Sequence, residues 1–328
     1  MVHFNRSSWI FLLVSIVLLC ETSCTDGQVR EFNAELFYQD ETETGRSILW
    51  HPDRQSLFWV DTDQNKLCEY ILAEKTFNSW LFDSKVGCVI PETDEVVVLA
   101  LEKKIIRHNL NDLFEETIAL IDYNNKTVRC NDGKASPDGR LWVETVSHDL
   151  RKGAGTAYCV YPNGHVDKML KGLTASNGFV WSGDKQFMYH NDLPNRLVKR
   201  YRYDSRSEDI LYSGVAVKIP KETGIPEGIT IDRHDNLWIP QKGGFGVYCY
   251  NPYTSQLLAK VNVPSPNVTS CVFGGKDMDT LYIITSRKGL TEQQLKIYPL
   301  SGSIFACKIA PVGVKPFYFG KKSEEERK

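Results

Sequence analysis

Short runs of aromatic and β-branched residues recur along the chain, each introduced by a polar turn. They begin at Leu57 (LFWVD), Val96 (VVVLAL), Leu141 (LWVETV), Phe187 (FMYHND), Leu237 (LWIPQ) and Leu281 (LYIITS), at steps of 39, 45, 46, 50 and 44 residues. Runs of this length and composition read as β-strands, and a step of this size is that of propeller-type repeats. Each run follows a turn rich in proline, aspartate or glycine: HPDRQS from His51, PETDE from Pro91, SPDGR from Ser136, SGDKQ from Ser182, DRHDN from Asp232 and GGKDMD from Gly274. Such residues favour tight reversals. Helical periodicity is nearly absent, and LNDLFEET around Leu110 reads equally well as a connection between strands. The expectation is an all-β chain of six units, a six-bladed β-propeller closed around a central channel whose mouth holds a ligand. Two separate sandwiches are the alternative, but no Pro-, Gly- or Ser-rich linker divides the chain.

Four cysteines mark a second strand in the repeat: Cys68, Cys159, Cys249 and Cys307 follow their unit's first recognisable strand by 11 to 26 residues. Equivalent positions on different blades lie too far apart for a disulfide, so these read as buried packing thiols. The N-terminus departs from the pattern. His3 and Arg6 precede twelve mostly apolar residues, Trp9 to Cys20, followed by the polar, small-residue stretch ETSCTDG. That order predicts a cleaved secretory signal over residues 1–24 and one propeller domain over 25–328, hence a secreted protein; the run falls short of the roughly 20 residues a spanning helix needs. Removing Cys20 and Cys24 leaves seven of the nine cysteines, an odd number that argues against a full disulfide framework. Two sequons, at Asn125 and Asn267, are candidate glycosylation sites. With 39 basic against 41 acidic residues the net charge is −2, which offers nothing to nucleic acid or to a membrane surface once the signal is gone.

Three polar islands interrupt the strand pattern: RCNDGK (Arg129 to Lys134), ASNGFVWS (Ala175 to Ser182) and IPEGITID (Ile225 to Asp232). Each sets a carboxylate or carboxamide before a glycine, where the chain turns sharply and the polar group can point into a cavity. Hydrolase elbows, zinc-protease motifs and phosphate loops are missing, and Asp61 to Leu72 fails as an EF-hand at Lys66 and Leu72. Taken with GRSILW (Gly45 to Trp50), HNDLPNR (His190 to Arg196), VTSCVFGGKDMDTLYI (Val268 to Ile283) and VGVKPF (Val312 to Phe317), the islands resemble the gluconolactonase, regucalcin and luciferin-regenerating enzyme family over almost the whole mature chain. The last of these segments is similar to the family's final strand.

The resemblance implies a six-bladed propeller with a divalent metal, calcium or zinc, in its channel, polarising a lactone carbonyl and activating water. It also implies ligands: Asn177 and Glu227 match two of the family's three positions, with Glu227 as the candidate catalytic base. The third position, a glutamate in the family, falls on Arg46, whose guanidinium neither coordinates a cation nor deprotonates. Arg46 with Glu227 and Asn177 sums to zero charge without a metal, so the pair is expected to fill the metal's place. The other reading is a register slip that turns Arg46 outward and brings Glu43 or Glu41 to the site. Arg129, Asn131, Asp132 and Asp149 are the implied substrate-facing residues, Asp192 a further pocket residue, and Glu144 and His148 stand where the family has smaller groups. The resemblance thus implies a hydrolase of a lactone or cyclic ester; the alternative is a non-catalytic propeller that binds a small polar ligand.

Overall fold

The computed structural model describes residues 28–205 and 210–321, and the expected signal over 1–24 lies outside them. Each of the six apolar runs of the repeat is the second strand of a blade: Ser56–Asp61, Val96–Leu101, Leu141–Ser147, Phe187–Asp192, Leu237–Lys242 and Thr280–Thr285. Each pairs antiparallel with an inner strand before it and a third strand after it. The inner strands are Gly45–His51, Val86–Pro91, Val128–Ala135, Ser176–Trp181 and Val268–Gly274 in blades 1 to 4 and 6; blade 5 has two short pieces, Ile225–Pro226 and Thr230–Ile231. The polar turns behave as read. The residue just before or near the second strand adopts a left-handed conformation at Gln55 (φ 52°), Gly139 (φ 80°), Lys185 (φ 59°), Asp235 (φ 63°) and Met278 (φ 57°), as tight hairpins require.

Burial falls from the axis outwards. The second strands of blades 1, 3 and 5 are almost wholly buried, whereas the outermost strands Thr76–Leu81 and Leu211–Lys218 are largely exposed. Cys68, Cys159, Cys249 and Cys307 lie on the third strands of blades 1, 3, 5 and 6, and all seven described cysteines are buried. Glycine is required where inner strands converge: a Cβ at Gly87 would stand 2.6 Å from the carbonyl oxygen of Asn131 on the next blade.

Ring closure was not legible in the repeat. Residues Glu35–Tyr38 form the outermost strand of blade 6, antiparallel to Ile304–Lys308, while Arg30–Asn33 runs parallel to Leu257–Asn262 at the edge of blade 5. The first residues after the expected signal therefore clasp the last two blades. One expectation is corrected. Residues 312–317 form no strand, apart from an isolated bridge between Gly313 and Asp232; Pro311 and Pro316 remove ladder donors there. A short helix, Glu292–Ile297, also occurs, started by a capping box between Thr291 and Gln294. Among the described residues, no helix is long and apolar enough to cross a membrane.

Candidate active site

The inner strands share one irregularity. Their pairing with the second strand shifts between Arg46 and Leu49, Val86 and Cys88, Cys130 and Gly133, Ser176 and Phe179, and Val268 and Ser270. In blade 5 the corresponding stretch is the break over 227–229. A bulge releases side chains from strict alternation and re-aims them, and here the released residues include Asn131, Asp132, Asn177 and Glu227. The polar-before-glycine islands of the sequence are these bulges on blades 3, 4 and 5. Gly178 (φ 97°) takes a backbone shape that residues with side chains rarely adopt.

Hydrogen bonds at this level run from blade to blade. Asn131 Nδ2 donates to Ser176 O (2.9 Å), Asn177 Nδ2 to Glu227 Oε2 (2.7 Å) and Thr269 Oγ1 to Gly45 O (2.6 Å). Asn191 Nδ2 reaches the carbonyl oxygens of Glu227 and Gly228, both at 3.2 Å. Arg46 Nη1 lies 3.3 Å from Glu227 Oε2, with the Glu227 side chain 6% exposed and that of Arg46 19% exposed. The expected charge pair between Arg46 and Glu227 is thus what the geometry has. The register slip is not: Arg46 pairs across from Val60, and Glu41 instead meets Arg287 at 2.9 Å on the surface.

These residues do not fit a divalent metal. Calcium needs six to eight oxygen donors and a zinc centre at least three good ligands. Here Glu227 is the one carboxylate, Arg46 presents only donors, and Asn177 turns its NH2 toward Glu227 because its oxygen would repel the carboxylate. No group of three or more His, Cys, Asp or Glu suited to a metal exists among the described residues.

The site opens into a cleft of about 650 Å³ whose walls include Arg46, Arg129, Asn131 and Glu227. Arg129 Nη1 donates to its neighbour's carbonyl at Cys130 (2.9 Å). Burial, then repulsion from Arg46, lowers the Arg129 guanidinium to about 10. Other predicted residues lie elsewhere. Asp132 faces a separate cavity of about 80 Å³, lined also by Lys134 and by residues 314–317. There its carboxyl is pushed up to about 6, chiefly by burial and then by the nearby Glu144. Lys134 donates to Ile229 O at 2.8 Å, and burial lowers its ammonium. Asp149 is a correction: it is exposed and sits 3.8 Å from Arg151, outside the cleft, because the Ser147–Leu150 turn points it to solvent. Asp192 is a second: Lys199 (2.6 Å) and Asn195 (3.0 Å) occupy its carboxylate, and it too lies outside the cleft wall. Asn267 is 6% exposed and its Nδ2, the glycan attachment atom, donates to Lys288 O, so that atom is inaccessible in the folded chain. Asn125 lies in a surface turn whose side-chain oxygen accepts from Thr127.

Glu144 supports the site from behind. Its Oε1 accepts from Gly178 N (3.1 Å) and its Oε2 lies 3.1 Å from His190 Nε2, with both side chains fully buried. Glu144→Ala strands the Gly178 N–H and the His190 ring together, at a cost of about 3 kcal/mol in urea unfolding. An unchanged midpoint would show that water replaces the carboxylate. Sequence reasoning missed the cleft's other cations, Lys85, Arg196, Lys242 and Lys288. Arg196, Lys242 and Lys288 share one signal: they lie at, or within four residues after, the end of a second strand, where a propeller's loops gather at one mouth.

Residues 44–287 match the family described as the SMP-30/Gluconolactonase/LRE-like region. The chain is 31% identical over 286 residues to regucalcin of Bos taurus, covering 86% of this chain and 95% of that protein. Among solved structures, a luciferin-regenerating enzyme superposes with a TM-score of 0.80 at 25% identity, covering 87% of this chain and 99% of that one. A calcium-binding protein, regucalcin of Agrobacterium tumefaciens, has the same fold, with a TM-score of 0.80 at 22% identity, covering 89% and 98%.

Proposed function

Because the chain belongs to the SMP-30/gluconolactonase/LRE-like family, we propose that it hydrolyses a lactone or related cyclic ester without a resident metal, with Arg46 in the electrophile's role. The observation that carries this reading is the 3.3 Å pair between Arg46 and Glu227 on the wall of an open cleft. A lactone carbonyl oxygen gains charge as water adds to its carbon, and a guanidinium, always protonated, stabilises that charge by hydrogen bonding. Glu227 Oε2 is held by Asn177 and Arg46, which leaves Oε1 to take a proton from the attacking water. As the water oxygen bonds to the carbonyl carbon, the ring C–O bond breaks, and the proton on Glu227 passes to the leaving alkoxide. The product is the open hydroxy acid. The apolar run Trp9 to Cys20, read as a secretory signal, supports an activity outside the cell.

Hydrolysis of glucono-δ-lactone, followed with a pH indicator, tests the reading. Activity should be unchanged by EDTA, and Glu227→Gln should lower kcat by about 100-fold with the fold retained. Loss of activity in chelator, restored by calcium or zinc, would contradict it. The second reading, a non-catalytic propeller binding a small polar ligand, draws support from the double occupation of Glu227 Oε2. In that case neither wild type nor variant exceeds the spontaneous rate, although both bind.

A further inference from the structure

The chain as a whole carries a net charge of −2, yet its cleft is strongly positive. Six cations, Arg46, Lys85, Arg129, Arg196, Lys242 and Lys288, stand in its wall against two carboxylates, Asp63 and Glu227, a surplus of four positive charges. The carboxylates are already engaged. Asp63 is shared by Lys85 and Lys288, each at 2.5 Å, and Glu227 is paired with Arg46 at 3.3 Å. Among the described residues, no carboxylate lies within ion-pair distance of Arg129, Arg196 or Lys242. Backbone carbonyls accept from the first two, at Cys130 and Gly224. A carbonyl dipole does not neutralise a guanidinium.

We propose that the ligand of this cleft is a sugar-sized molecule bearing an anionic oxygen group, a carboxylate or phosphate, in addition to the reacting ester, and that Arg129, Arg196 and Lys242 receive that group. A neutral polyol would leave three cations on the cleft wall without a counter-charge, in a partly dehydrated concavity where like charges repel more strongly than in water. An anion relieves that repulsion, and the fork of an arginine matches its paired oxygens. The cleft's 650 Å³ suits a ligand of one or two sugar rings. As to catalysis the proposal rests on the hydrolase reading above; as to binding it stands alone.

The test uses compounds that cannot be hydrolysed. Calorimetric titration compares glucose, glucuronate and glucose phosphate, first at low salt and then in about 0.5 M NaCl, where screening is strong. At low salt one or both anionic sugars should bind about 100-fold more tightly than glucose, and high salt should reduce that advantage about tenfold. Glucuronate and glucose phosphate distinguish carboxylate from phosphate as the favoured group. The double variant R196Q/K242Q, with its fold checked by circular dichroism, should lose most of the preference. Lys308→Gln removes a cation whose side chain is 81% exposed, outside the cleft, and should not change it. Equal binding of glucose and both anions, or an equal loss on Lys308→Gln, would overturn the proposal. A preference for anions without hydrolysis of any lactone would leave it standing and refute the hydrolase reading. Hydrolysis of neutral and phosphorylated gluconolactone at equal efficiency would do the reverse.

Discussion

Arg46→Glu turns the protein into a divalent-cation binder. The substitution removes the guanidinium that lies 3.3 Å from Glu227 and puts a second carboxylate beside the first. Asn177, whose NH2 is now held toward Glu227, can rotate its carboxamide to offer oxygen, which completes three oxygen donors and leaves the cleft's water to fill the remaining positions. Calcium affinity should rise by about a thousandfold, roughly 4 kcal/mol, from no measurable binding to the micromolar range. Without metal the two carboxylates repel, so the variant should melt below the wild type and recover when calcium is added. Lactone hydrolysis, independent of calcium in the wild type, should become dependent on it. A variant whose melting temperature ignores calcium would show that the other donors are wrongly placed.

The second large effect belongs to the N-terminal clasp. Phe37 packs edge-on to Tyr282 of blade 6 (5.0 Å between centroids) and Tyr70 of blade 1 (5.6 Å), and Tyr38 meets Tyr70 (4.9 Å) and Trp59 (5.9 Å). The strand therefore joins the last blade to the first through side chains as well as through its pairing with Ile304–Lys308. F37A/Y38A removes two partly buried aromatic rings at about 2 kcal/mol each, which should lower the melting temperature by about 10 °C. Deleting residues 28–38 also exposes the Ile304–Lys308 edge, and should yield aggregated protein. A truncated chain that melts like the full one would mean that the ring closes through blade contacts alone.

The repeat was legible because the second strand of every blade is almost wholly buried, and strands buried on both faces read as unbroken apolar runs. The clasp was not, because Glu35–Tyr38 is four residues long and only half-buried, too short to display a period. For residues 312–317 the strand came from the family resemblance alone, whereas Val312, Val314 and Phe317 pack against separate hydrophobic clusters. At the site, the Arg46–Glu227 pair could be foreseen from charge and chemistry once the positions were matched. Asp149 and Asp192 could not be sorted that way. Both lie near true cleft residues in sequence, and only the turn at Ser147–Leu150 and the Lys199 side chain decide that they face elsewhere. The cationic surplus was hidden by a net charge of −2, since bulk composition averages over a surface that the fold distributes unevenly.

The Arg46–Glu227 pair stands in place of the metal that the family resemblance implies. Calorimetric titration of calcium, zinc and manganese into the purified wild-type protein tests it most directly. No saturable heat is expected for any of the three up to the millimolar range. A one-to-one isotherm in the micromolar range, abolished by Glu227→Gln, would contradict it.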